Sequence, residues 1–126
     1  DVYKRQAVEQ NADEVSELLE ELTTGPLTSI LQDRFDQSWG NRLERQAMRF
    51  VPVYMAAGGR KEDALDHLLA SRILRRGKVT ERFDKTIDDL TAVEHALTTV
   101  WKGWQSEPRR SMDLLAQDRR RKERVA

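Results

Sequence analysis

Apolar residues recur along this chain at spacings of three and four, the period of a helix packed on one side. Val15, Leu18, Leu19 and Leu22 form the first such stripe, and Leu27, Ile30, Leu31 and Phe35 form a second, shorter one. Leu43, Ala47, Phe50 and Tyr54 form a third; Ala64, Leu65, Leu68, Leu69 and Ile73 a fourth; Leu90, Val93, Leu97, Val100, Trp101 and Trp104 a fifth. Breakers fall between the stripes: Gly25-Pro26, Trp39-Gly40, Gly58-Gly59, Gly77 and Ser106-Glu107-Pro108. A Gly just past a helix followed by Pro is a stop signal, because Gly accepts the left-handed closing residue and Pro cannot extend the hydrogen-bond ladder. The pattern predicts an all-α fold of five to six helices in a small orthogonal or bundle-like domain.

Finer signals set expected boundaries. Asn11 is the expected N-cap of the first helix, with Asp13 and Glu14 where the helix dipole favours acids. Pro52 interrupts the third stripe and predicts a kink over residues 48–51. The fourth helix is expected over residues 61–76, with Gly77 as its left-handed closing residue and residues 78–84 as a connection. Thr86 and Asp89 stand three apart as in a capping box and open the fifth helix. A last helix over residues 109–124 carries little apolar content beyond Met112, Leu114, Leu115 and Ala116, and is expected to fray. The predicted core is Leu43, Ala47, Phe50, Leu65, Leu68, Leu69, Ile73, Leu90, Val93, Leu97 and Trp101.

Composition changes this picture in one respect. Of 126 residues, 38% are hydrophobic and 35% charged, against about 45–50% and about 25% in ordinary soluble domains. Much of the surface is therefore available to partners. Cysteine is absent, which excludes a disulfide framework and thiolate metal sites and fits a reducing compartment, with cytoplasm expected. No apolar run approaches the ~20 residues of a membrane span. Residues 1–6 resemble the translated end of a sequencing adapter, so native sequence is expected to start near Ala7, with an upstream portion missing. The expected organisation is 1–6 as that scar, 7–38 as a helical segment leading from a missing core, 39–104 as a helical domain, and 105–126 as a basic helix or tail.

Net charge is zero but unevenly spread: every charged residue from Glu9 to Glu21 is acidic, whereas the C-terminal end is rich in Arg. Arg119, Arg120, Arg121 and Lys122 are candidates for nucleic-acid or acidic-partner contact. Asp118 and Glu123 flank the run, and a solvated helix face is the plainer reading.

Catalytic chemistry is mostly missing. There is no Gly-x-x-x-x-Gly-Lys-Ser/Thr loop to cradle phosphates. His67 and His95 are the only imidazoles, and no nucleophile motif accompanies either. Asp63 and His67 share a helix face four residues apart, but two ligands fall short of a metal site's usual three or four. No metal is assigned. Asp88-Asp89 and Glu20-Glu21 are sequence neighbours, which diverge on a helix. Arg42, Arg45 and Arg49 lie on a stripe beside the apolar face of the third helix, with Glu44 as a balancing charge.

The segment from Trp39 to Gly77 resembles the C-terminal helical lid of AAA+ nucleotide hydrolases, most closely the motor subunits of modification-dependent, McrB-like restriction systems. The family's aromatic-Gly-x-Arg element stands here as Trp39-Gly40-Asn41-Arg42, followed by Leu43, Met48, Arg49 and Phe50. Its second lid helix, with an early Asp and a basic-aliphatic-Leu ending before Gly, stands as Asp66 through Arg72-Ile73-Leu74 and Gly77. Arg75 replaces the frequent Pro, and Asn41 a frequent aromatic.

The resemblance implies a lid that senses nucleotide state in a DNA-restriction or DNA-processing machine. Arg42 would be the phosphate-sensing, catalytic arginine, and Arg45 and Arg49 would share that duty or contact a neighbouring subunit. It further implies ATP or GTP with Mg in the full-length parent, an N-terminal NTPase core, a homo-oligomer, and a nuclease subunit and DNA as partners. The fragment alone would not be an enzyme. The alternative is a non-enzymatic helical module that binds protein or nucleic acid.

Overall fold

The computed structural model describes residues 2–37, 41–75 and 85–125. Among these the chain is all-helical, with six helices and no strand. They are α1 (Val2–Thr24), α2 (Pro26–Phe35), α3 (Asn41–Ala56), α4 (Lys61–Leu68, continued by a π-helical turn, Leu69–Leu74), α5 (Ile87–Gly103) and α6 (Arg109–Val125). α1 lies along α3, α2 against α5, α4 against α3, and α6 against α4, α5 and the π turn. Trp39-Gly40, Gly77 and the connection at 78–84 lie outside the described residues.

The apolar stripes meet in one core. Leu22, Phe35, Val51, Leu65, Leu69, Leu74, Leu97, Trp101 and Leu115 are buried within it. Ten of the eleven predicted core residues are fully buried, and Phe50 packs at its margin. Phe50 is instead half-buried between two rings, 5.7 Å from Tyr54 and 5.5 Å from His67, centroid to centroid.

Several boundaries differ from expectation. Asn11 does not cap α1; the helix already runs from Val2, and the Asn11 side-chain amide donates to Ala7 O at 3.1 Å inside it. Ala7 is buried one repeat before Val15, extending the stripe backwards. Val2–Gln6 continues the helix with exposed side chains. α2 closes at Phe35, because Asp36 takes the left-handed conformation (φ 54°) and its N–H reaches Leu31 O. Pro52 is buried within α3 and does not end it; the helix continues to Ala56.

α4 changes pitch at Leu69, whose N–H is shared between the carbonyls of Leu65 and Asp66. The turn then widens until the Arg75 N–H donates to Ala70 O, five residues back. Ser71 Oγ donates to His67 O at 2.8 Å, which feeds the displaced carbonyl ladder from a side chain. Such π insertions are rare and recur at functional sites.

Thr86 and Asp89 form the predicted capping box. Thr86 Oγ1 accepts from the Asp89 N–H (3.1 Å), and Asp89 Oδ2 accepts from the Thr86 N–H (3.0 Å). Arg34, at the end of α2, bridges Asp88 (3.2 Å) and Asp89 (3.1 Å). Lys85 Nζ donates to Arg34 O at 2.7 Å and sits over the Phe35 ring. The end of α2 and the start of α5 are thus latched by opposite charges that also suit both helix dipoles.

α6 does not sit as a fraying tail. Pro108 precedes it and has no side chain able to cap. Asp66, buried in α4, supplies the cap from outside: its carboxylate accepts from the backbone N–H of Arg110 (2.8 Å) and Ser111 (3.0 Å). Ser111 is buried beside it, and its hydroxyl faces Asp66 O at 3.4 Å. Further along, Leu115 and Asp118 are buried, and Arg119 pairs with Glu94 of α5 at 2.7 Å. Polar pins do what the helix's sparse apolar residues do not.

Truncating Leu69 or Leu97 to Ala, both fully buried, should cost about 2–5 kcal/mol in chemical denaturation; a loss under ~0.5 kcal/mol at both sites would contradict the core. Asp66→Ala leaves one buried and one part-buried amide without an acceptor and should cost about 1–3 kcal/mol, with hydrogen exchange accelerated first in α6. Asp89 is held below its ordinary carboxylate value by the Thr86 amide, with the Thr86 hydroxyl and Arg34 assisting. A depressed native value means this contribution is intact above about pH 4 and fades as pH falls through the native value. Unfolding measured from pH 6 down to pH 2.5 should therefore show a shallower acid loss in Asp89→Asn than in the parent chain.

Candidate anion-binding cleft

α3 and α4 form an antiparallel pair joined by the tight turn at Gly58-Gly59, so the first turn of α3 lies beside the far end of α4. Their open ends enclose a cleft of about 490 Å³ lined by Arg42, Leu43, Gln46, Ser71, Arg72, Ile73 and Arg75. Leu43 and Ile73 are buried and form its floor. Arg42, Arg72 and Arg75 are exposed.

The cleft is strongly basic. Among the described residues, none of these three guanidinium groups makes an ion pair. Glu44, expected to balance Arg42, Arg45 and Arg49, pairs with none of them within the same residues. Ser71 contributes little to a ligand, since its hydroxyl hydrogen is already given to His67 O. Gln46 and the arginines remain as donors.

The sequence reading placed Arg42 here but not its companions. Arg72 and Arg75 stand in the sequence only as positions of the second lid-helix motif, and the antiparallel return of α4 brings them to Arg42. Arg45 and Arg49 are exposed on the neighbouring stripe and do not line the cleft. The basic run on α6 is divided in use. Arg119 is committed to Glu94 and to Thr91 Oγ1 (2.7 Å), Arg121 lies 3.7 Å from buried Asp118, and Arg120 is exposed. Lys122 is half-buried.

Other sites carry less chemistry. Asp63 and His67 do not converge, since His67 stacks on Phe50 while Asp63 lines a separate polar cavity of about 630 Å³ with Arg60, Arg109 and Arg110. Among the described residues no group of three His, Cys, Asp or Glu could hold a metal ion. No helix among them is long and apolar enough to cross a membrane. The chain matches no known protein family, no curated protein and no solved structure.

Proposed function

We propose that this chain is the helical lid of an AAA+-type ATPase or GTPase that senses nucleotide state through Arg42, within a DNA-restriction or DNA-processing machine. The observation that carries the reading is the position of Arg42: exposed, without an ion pair among the described residues, in the first turn of α3, and facing the cleft it shares with Arg72 and Arg75. As a γ-phosphate is cleaved, charge spreads over its oxygens, and a guanidinium on a mobile lid stabilises that charge while reporting nucleotide state by its movement. Arg is suited to this work because it stays protonated and binds phosphate as a planar fork.

In this reading a phosphate loop and a metal-holding carboxylate belong to a core domain joined to the lid, and Mg with ATP or GTP would be bound there. α3 and α4 present the arginines, and α6, pinned by Asp66, stiffens the face behind them. Arg45 and Arg49, outside the cleft, are placed for contact with a neighbouring subunit.

The 126-residue chain alone should not hydrolyse ATP or GTP, since one sensing arginine supplies neither the phosphate cradle nor in-line positioning. In the protein carrying the joined core, Arg42→Ala should lower kcat by about 10–100-fold with a smaller change in KM, because the contact strengthens as phosphate charge develops. Arg120→Ala, on the exposed face of α6, is the control and should leave turnover unchanged. Hydrolysis insensitive to Arg42→Ala would discard the lid reading in favour of a non-enzymatic interaction module.

A further inference from the structure

The lid reading requires only Arg42, yet the structure gathers three arginines around one cleft. We propose that Arg42, Arg72 and Arg75 together form a binding site for two linked phosphoryl groups, the diphosphate portion of a nucleotide, with Arg72 and Arg75 as its larger part. The proposal rests on the nucleotide-sensing reading and names the ligand chemistry of that site.

Three observations converge on it. The first is charge without compensation: three guanidinium groups from two helices line about 490 Å³, and no carboxylate among the described residues pairs with any of them. Like charges brought together repel, and an anion bound between them removes that repulsion. Elsewhere Arg34, Arg119 and Arg121 each have a carboxylate within ion-pair distance.

The second is the π turn. It widens α4 over Leu69–Leu74, the stretch that presents Arg72 to the cleft. The third is the backbone of Arg75, at φ 42° and ψ 110°, a region that side-chain-bearing residues rarely occupy. Strain of this kind persists where the surroundings hold a residue in place for use. Here it holds a third arginine at the rim of the cleft.

Ligand size follows from fork geometry. Each guanidinium binds two oxygens, so three call for about six, close to the terminal oxygens of two linked phosphoryl groups: six in pyrophosphate and five when one end is esterified to a nucleoside. A single phosphodiester offers fewer oxygens and one charge, which disfavours a nucleic-acid backbone. Gln46 adds an amide donor on the same wall.

The test is isothermal titration of the 126-residue chain at fixed ionic strength with inorganic pyrophosphate, orthophosphate, ADP and a single-stranded oligonucleotide. Pyrophosphate and ADP should bind at least about tenfold more tightly than orthophosphate, and Arg72→Ala should weaken pyrophosphate by about tenfold or more. Arg75→Gly is the variant that separates binding from folding: it relieves the backbone strain, so the thermal midpoint should hold or rise while pyrophosphate affinity falls. Arg124→Ala, exposed near the end of α6, should change nothing. Equal weakening by Arg124→Ala and Arg72→Ala, preference for the oligonucleotide over pyrophosphate, or no pyrophosphate binding would each overturn the site. Pyrophosphate binding that depends on Arg72, alongside hydrolysis in the joined protein that ignores Arg42→Ala, keeps the cleft and discards the lid. Hydrolysis that needs Arg42 while pyrophosphate binding ignores Arg72 discards the cleft alone.

Discussion

One carboxylate holds the two ends of this fold together. Asp66 is buried in α4 and accepts hydrogen bonds from two amides at the start of α6, satisfying donors that Pro108 leaves bare. A buried charge without such partners would be costly, and buried helix ends without acceptors would be costly too. Each removes the other's penalty. Because α6 carries few apolar residues, this polar pair, with Ser111 and the Arg119–Glu94 bridge, fixes where the helix lies. That position closes the back of α4 and α5, and with it the core around Leu65, Leu97, Trp101 and Leu115.

The same economy runs through the periphery. A chain with 35% charged residues has modest apolar surface to bury, and it uses electrostatics at the junctions where helices meet. Arg34 ties α2 to α5, and Lys85 closes the last carbonyls of α2. The Trp104 indole donates to Glu21 and draws the end of α5 to α1. Exposed pairs contribute little each, but here they sit on helix termini, where capping and dipole add to the pairing. Between α3 and α4, by contrast, three arginines meet at one cleft with no carboxylate among the described residues paired to them.

Local chemistry was legible in the sequence and tertiary chemistry was not. The Thr86–Asp89 box could be read because its partners lie three residues apart, and the stripes gave the core because helical burial follows the same short period. Asp66 could be read only as a motif residue; its partners lie 44 and 45 positions away. Asn11 had cap chemistry, but nothing local marks that the helix before it, bearing Ala7 on its inner face, continues. The π turn at Leu69–Leu74 has no composition signature in the sequence. Arg42 was legible because a family resemblance singled it out. Arg72 and Arg75 were legible only as motif positions, because their nearness to Arg42 depends on the hairpin that folds α4 back along α3.

That hairpin gives its closed end a mechanical meaning. At the turn, Gly58 adopts φ 98°, and a Cβ on Gly59 would stand 2.1 Å from the Tyr54 ring, so the closure requires glycine at both positions. α3 extends 16 residues from there, about 24 Å at ~1.5 Å per residue. A rotation of about 5° at the glycines would move the opposite end by about 2 Å, enough to make or break a hydrogen bond. The turn is a fulcrum and the helices are lever arms. The spacing of the arginine cleft is thus governed from the end of the hairpin farthest from it, by two residues that carry no charge.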